Sequence, residues 1–479
     1  MSEEKKKRNG LSPALKKFFG VGDAGFSLMA CIETYYFQYF LTNIAMFSMP
    51  EVSLISTIYS GVDAALSWVY GIMLNSIKPM KWGRYRSWLI VLPWVVPFFY
   101  AFMFFKVGTG ALAVTIICIG AVVSHICWNI PYVANMTMIS IASKTPEDRA
   151  TLSSGRSMWG SAARIAYSYA GPFVVSLISG ALGEQYGYAG CAFAFGCLMV
   201  AGYAAHFFML DGYEETPEEE AKRMAAQAAA HAGEGKKKGP SLWDALKVNP
   251  YVVVFIVASC IAAVGTSFST SFAVYYWTYV AKNPGLMSVY LLTANFVAVA
   301  VSYVARKIIA KLGAKKTLLY AYSAVIVAMV LIYLTHKMTP YITLLLMCVY
   351  QAGYTISMTC SPVIYSDCTI YSEYVTGKNA AGAFMGLSNI SIKVPIMIKG
   401  ILIAGVLSKI GFDASVAEMT AAQITGIATS FTMVTVGFVA VGAAILFLFY
   451  KLDAGKVAEY SAVIAQRKAE AAANAAKAE

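Results

Sequence analysis

The residues that could do chemistry in this chain stand out because they interrupt long apolar runs. Ser60, Asp63, Ser67 and Gly71 are spaced three and four apart, which places them on one face of a helix. His125 and Asn129 are one turn apart, with Trp128 and Tyr132 beside them. Arg156, Arg164 and Tyr167 follow at separations of eight and three, and Glu33, Lys393 and Lys399 stand within apolar stretches. A buried carboxylate beside a cation can hold and release a proton. Aromatic faces and amides suit a ring with an apolar face and a hydroxyl rim, and paired guanidiniums suit a carboxylate or sulfonate. Plainer readings stay open: Asp63 and Lys393 as a permanent structural pair, His125 as an interhelical hydrogen-bonder, Arg156 as a side chain reaching an interface. Glu33 either faces a cavity or pairs with Arg164, and Lys399 has no assigned role.

What must position these groups follows from composition. The chain has 479 residues, 58% hydrophobic and 13% charged, with a mean hydropathy of +0.62; soluble domains are far less apolar. A hydrocarbon core about 30 Å thick needs roughly 20 apolar residues per helical span. Twelve runs qualify, at 18–43, 51–77, 88–106, 110–141, 153–180, 187–210, 249–281, 285–305, 317–336, 340–366, 383–408 and 420–450. Their length, and the lack of short alternating segments, argue for helices over a membrane barrel. The expected class is therefore an all-α membrane protein.

Lysine and arginine sort by loop. Six lie in the N-terminal segment, four between spans 2 and 3 (Lys78, Lys81, Arg84, Arg86), three near the start of span 5, and six in 211–248. With those of the remaining alternate connections and the C-terminal tail, 30 of the 37 fall on one side. Positive charge in short loops marks the cytoplasmic side, so both termini are expected there. The net charge of +12 is read as topology and attraction to anionic lipid, not nucleic-acid binding. The start, MSEEKKKRNG, does not read as a cleavable signal. The nine cysteines show no metal-ligand spacing and read as small hydrophobes.

A hydrophilic, alanine- and lysine-rich stretch splits the spans into six and six. The expected domains are an N-terminal segment 1–17, a first bundle 18–210, a linker 211–248, a second bundle 249–451 and a tail 452–479. Two bundles rocking about a central site are a transporter's layout.

With that topology, several motifs fall in order. They are Gly20-x-Gly22-Asp23, Gly71-x-x-x-Asn75 followed by Trp82-Gly83-Arg84-Tyr85-Arg86-Ser87-Trp88, Asn129-Ile130-Pro131-Tyr132, and Arg149 with Arg156. In the second half come Tyr275-Tyr276-x-x-Tyr279, Asp367-x-x-x-Tyr371-x-Glu373-Tyr374, and Lys393. The pattern resembles the glycoside–pentoside–hexuronide:cation symporters, the melibiose-permease branch of the major facilitator superfamily, over about 18–450. The resemblance implies the major facilitator fold, twelve transmembrane helices in two six-helix bundles. It implies a sugar site near Asn129 and Arg156, to which His125, Trp128, Tyr132, Arg164, Glu33 and Lys393 are added as substrate candidates. It also implies a cation site at Asp63, Ser67 and Ser27. Where the family has further carboxylates, this chain has Ser27, Ser67 and Asn129. Sodium needs several hard oxygen ligands carrying negative charge, so H+ is favoured over Na+, with no metal or other cofactor. Arg84, Arg86, Asp367 and Glu373 are the expected conformational latch, Arg84 and Arg86 reaching helix-end carbonyls and carboxylates. A topogenic charge cluster is the plainer reading of that loop.

The expected function is a symporter that takes up a glycoside, pentoside or hexuronide by alternating access, proton-coupled through Asp63. The alternative is a facilitator or exchanger for another organic anion or an amphiphile, without sodium coupling. No H-E-x-x-H, no G-x-S-x-G with a partner and no Walker A sequence is present, so an enzyme is not expected. The protein is expected to be a monomer in the lipid of the cell membrane, both termini cytoplasmic, with no nucleic-acid partner.

Overall fold

The computed structural model describes residues 10–66, 69–106, 108–143, 146–221, 248–377, 390–416 and 418–478. Ser67 of the expected cation set and most of the linker lie outside those residues. The described backbone is helical without strands, apart from one isolated bridge between Met80 and Gly83. That outcome is forced by solvent: hydrocarbon offers backbone amides no partners, so a spanning segment must satisfy its own.

In the first half a short α1, Pro13–Phe18, leads into α2, Val21–Tyr39. There follow α3, Met49–Leu66, α4, Val69–Ser76, α5, Trp88–Val91, and α6, Val96–Phe102. Three long helices complete it: α7, Ala111–Ala142, α8, Pro146–Leu182, and α9, Glu184–Met209. The second half holds α10, Pro250–Tyr275, α11, Gly285–Leu312, α12, Ala314–Thr335, α13, Pro340–Thr376, and α14, Ile390–Ile410. It closes with α15, Ala421–Thr429, α16, Thr435–Phe449, and α17, Ala454–Ala478. Among the described residues nine helical segments are long and apolar enough to cross a membrane. The three remaining expected spans are seen as α2, as α3 with α4, and as α5 with α6.

Two compact units emerge from the packing. One comprises Met1–Lys236, Met287–Asn295 and Ile403–Glu418; the other comprises Lys237–Leu286, Phe296–Leu402 and Met419–Glu479. In the first, α2 packs on α8 and α9, and α3 on α7. The α2–α9 crossing is close because Gly22 and Gly202 face each other: a Cβ on Gly202 would lie 2.8 Å from the Gly22 Cα. Small residues let helices approach where lipid provides no hydrophobic drive. In the second unit, α10 packs on α16 and α12 on α13.

A detail repeats between the halves. α2 runs into a π turn, Phe40–Ile44, closed by Ala45 N–H donating to the Phe40 carbonyl (2.8 Å) and Phe47 N–H to that of Leu41 (3.0 Å). α10 runs into a π turn, Tyr276–Val280, closed by Ala281 on Tyr276 and Asn283 on Trp277, each at 3.0 Å. Met46 and Lys282, at equivalent places, have φ of 60° and 50°, a region non-glycine residues rarely enter. The first long helix of each half thus ends the same way, as expected of an internal structural repeat.

The tail is docked. Tyr460 of α17 stacks on Tyr374 at 4.3 Å, and the Arg467 Nη1 donates to the Tyr374 carbonyl at 2.8 Å, tying α17 to the end of α13.

Candidate functional site

Asp63 is buried on α3, and Asn129 reaches it from α7. The Asn129 Nδ2 donates to Asp63 Oδ1 at 2.7 Å and to the His125 carbonyl of its own helix at 2.8 Å. One turn away, the His125 Nε2 lies 3.2 Å from Glu33 Oε2 on α2, while its Nδ1 is 3.8 Å from Asp63 Oδ1. The second separation is too long for a hydrogen bond. Tyr100 of α6 donates to the Met29 carbonyl at 2.8 Å, and its hydroxyl is 3.4 Å from Glu33 Oε2. Four helices therefore converge on two carboxylates and one imidazole. Of the two readings of Glu33, pairing with Arg164 is corrected: His125 takes that carboxylate.

A cavity of about 420 Å³ opens between α2, α7 and α8, lined among others by Asp23, Ser27, Tyr132, Arg156 and Arg164. The Arg156 Nη2 bonds Asp23 Oδ1, and its guanidinium lies over the Tyr132 ring at 5.4 Å. The pair leaves bonding capacity unfilled, because the buried Arg156 Nε and Asp23 Oδ2 have no hydrogen-bond partner among the described residues. Arg164 is exposed, its Nη2 donating to Ser161 Oγ at 3.1 Å, with no carboxylate at ion-pair distance among the described residues. Asp23 compensates the Arg156 charge. One correction follows. Ser27, expected with the cation site, lines the arginine cavity and makes no hydrogen bond to Asp63. Trp128 and Tyr132 form an aromatic wall with Phe26, the rings 4.9 and 5.1 Å from it.

The loop before α5 is held by the segment after α9. The Arg84 Nε meets Glu220 Oε1 at 2.7 Å, and its Nη1 donates to the Leu74 and Ile77 carbonyls at 3.3 and 2.6 Å. The Arg86 Nη1 meets Asp211 Oδ1 at 2.6 Å, its Nε donates to the Phe207 carbonyl at 2.7 Å, and it lies over the Phe207 ring at 4.3 Å. Between them, the Glu214 carboxylate accepts from the Tyr85 and Arg86 amides at 2.8 and 2.9 Å. Gly83 is required there: its φ is +117°, and a Cβ would lie 2.4 Å from a Glu214 oxygen. Burial pushes the Glu214 carboxyl above, and the Arg86 guanidinium below, their ordinary pKa.

In the second unit, Lys393 and Lys399 are on α14. Lys399 is buried, its Nζ donating to Ser271 Oγ on α10 at 3.0 Å, so it turns inward and does not extend to an interface. Asp367 and Glu373, of the expected latch, lie on α13; Asp367 has no ion pair among the described residues, while Arg84 meets Glu220 and Arg86 meets Asp211. A second cavity, about 190 Å³, is lined by hydroxyls: Ser391 Oγ is 2.9 Å from Ser259 Oγ and 3.0 Å from the Tyr365 hydroxyl, with Thr266, Ser357 and Ser361 nearby.

This arrangement sets charged groups on converging helices around an apolar interior, and sequence comparison gives it a lineage. A family model described as MFS/sugar transport protein matches residues 18–454. The chain belongs to that family. This transporter is 24% identical over 464 residues to the uncharacterized symporter YnaJ of Bacillus subtilis (strain 168), covering 95% of each chain. It is 22% identical over 457 residues to the glucuronide carrier protein homolog of Escherichia coli (strain K12), covering 94% of this chain and 95% of that protein. The crystal structure of a D-xylose-proton symporter matches with a TM-score of 0.61 at 13% identity, over 92% of this chain and 97% of that chain. The resemblance to glycoside–pentoside–hexuronide symporters and the major facilitator fold therefore stand. The protein is a multi-pass membrane transporter, not an enzyme.

The sequence reading missed three things about this transporter. It named His125 and Glu33 as substrate candidates without the contact between them or the approach of His125 to Asp63; the four-residue spacing of His125 and Asn129 carried the second signal. It left Asp23 as a motif residue without a partner. It named no residue of the hydroxyl cavity, because serines on three separate helices have no common spacing.

Proposed function

We propose that the transporter moves a hexuronide or similar anionic glycoside across the cell membrane by alternating access, coupled to protons through Asp63, with both termini cytoplasmic. The observation that carries the substrate reading is the arginine cavity. Arg164 offers an uncompensated guanidinium to a carboxylate, Arg156 Nε and Asp23 Oδ2 offer a free donor and acceptor to sugar hydroxyls, and the Phe26–Trp128–Tyr132 wall suits the apolar face of a ring. A relative named as a glucuronide carrier homolog supports the same class. For coupling, Asp63 accepts from an amide and is approached by an imidazole, and serine and asparagine stand where the resemblance implies further carboxylates for a sodium site.

Uptake of a labelled glucuronide into proteoliposomes, with a proton or a sodium gradient imposed, tests this directly. Proton-driven accumulation that Asp63→Asn abolishes is expected. Accumulation driven only by sodium, or by a variant lacking the Asp63 carboxylate, would refute the coupling; uptake of neutral glycosides alone would refute the anionic substrate.

A further inference from the structure

We propose that His125 is the proton-carrying bridge of a three-group coupling site with Glu33 and Asp63, and not a substrate ligand. This rests on the proton-coupled reading above. Its geometry is specific. The Nε2, 3.2 Å from a Glu33 oxygen, bonds a carboxylate only by donating its hydrogen. In the neutral ring the Nδ1 then carries the lone pair, and it points across 3.8 Å toward Asp63 Oδ1. That Nδ1 is buried and has no hydrogen-bond partner among the described residues. A closing movement of roughly 1 Å would make the hydrogen bond.

A proton arriving on Asp63 can therefore be handed on. The carboxyl O–H breaks, an Nδ1–H forms, and the resulting imidazolium lies between two carboxylates, both of which favour its charge. No other bond changes. The groups facing the ring are Glu33 from α2, with Tyr100 of α6 beside it, Tyr59 and Asp63 from α3, and Trp128 from α7 itself. Tyr59 and Trp128 hold the ring by edge contacts at 5.5 and 5.3 Å. Among the described residues only Glu33 and Asp63 lie at ion-pair distance from it. Asn129 holds Asp63 meanwhile, so the carboxylate stays positioned beside the imidazole whether or not it carries the proton.

The test uses the full-length transporter in proteoliposomes with membrane potential clamped, and compares proton-driven accumulation of labelled methyl glucuronide with its exchange at equal pH. One coupled proton supports about tenfold accumulation per pH unit. His125→Gln, which keeps a donor for Glu33 but cannot carry charge, is expected to lower the ratio of accumulation to exchange about tenfold per pH unit and to flatten the pH profile of exchange. Glu33→Gln is the second variant, with the same split expected, and keeps the test open if the first does not fold. A parallel fall of both activities with the wild-type pH profile would overturn the bridge and restore His125 to the substrate site. Full accumulation by both variants would overturn the bridge alone, whereas a wild type that exchanges but never accumulates under a proton gradient would overturn the coupled reading itself.

Discussion

The interiors of the two units are polar in different ways. The first holds ionisable groups in its interior: Asp63, His125 and Glu33 around α7, and Asp23 with Arg156 at the cavity. The second offers mainly hydroxyls, Ser259, Ser391 and Tyr365 in one network, and a lysine, Lys399, resting on Ser271. Hydroxyls bind without titrating near neutral pH; carboxylates and imidazole bind and titrate. The contrast teaches where the two units keep their polarity: the first clusters carboxylates and an imidazole on α2, α3 and α7, while the cavity of the second is bounded by neutral hydrogen-bonding groups.

Mutations put the difference between the units to the test. The largest effect is expected at the Asp23–Arg156 pair, because removing one member strands a buried charge at a cost of about 3–5 kcal/mol. Asp23→Ala or Arg156→Ala should lower the melting temperature in detergent strongly, and the double replacement less than the sum of the two. Additive losses would mean that the pair is not coupled. Next comes Arg164→Gln, which removes a charged hydrogen bond worth about 1.5–3 kcal/mol. The KM for a glucuronide should rise by roughly ten- to a hundredfold, and that for a neutral glycoside far less; equal rises would remove the carboxylate from that end of the cavity. Ser391→Ala in the second unit should cost about 1 kcal/mol of stability and leave the pH profile of transport in place. A shifted profile would break the contrast between the units.

The smallest effect concerns Glu214. Burial raises its carboxyl in the folded protein, so its contribution to stability is fully present below the unfolded-state pKa and is lost as pH rises through the higher folded one. Glu214→Gln should flatten melting temperature against pH across that window. An unchanged slope would mean that the carboxylate is not buried in solution.

The fold was legible because hydrocarbon leaves few choices: run length gave the helices, and the six-plus-six division followed from one hydrophilic stretch. Even so, the third expected span is not one continuous helix. The loop before α5 is broken by Met80–Gly83, and α5 and α6 are separated by a short 3-10 turn at Pro93–Val95. The candidate site was half legible. Helical spacing put His125 and Asn129 on one face, and Asn129 does meet Asp63. Which carboxylate an arginine or histidine takes depends on neighbouring helices, and no single-helix pattern encodes that. So Arg156 went to Asp23, and Glu33 to His125.

The clasp between the loop before α5 and the segment after α9 also bears on the order of events during synthesis. Arg84 and Glu220 are 136 residues apart, so the arginines are made long before the acids that will compensate them exist. Nascent, the loop is a bare cationic anchor able to orient the first helices; finished, the same guanidiniums are neutralised and buttoned to the chain's own later carboxylates. One set of side chains thus serves first as a signpost and afterwards as a fastener.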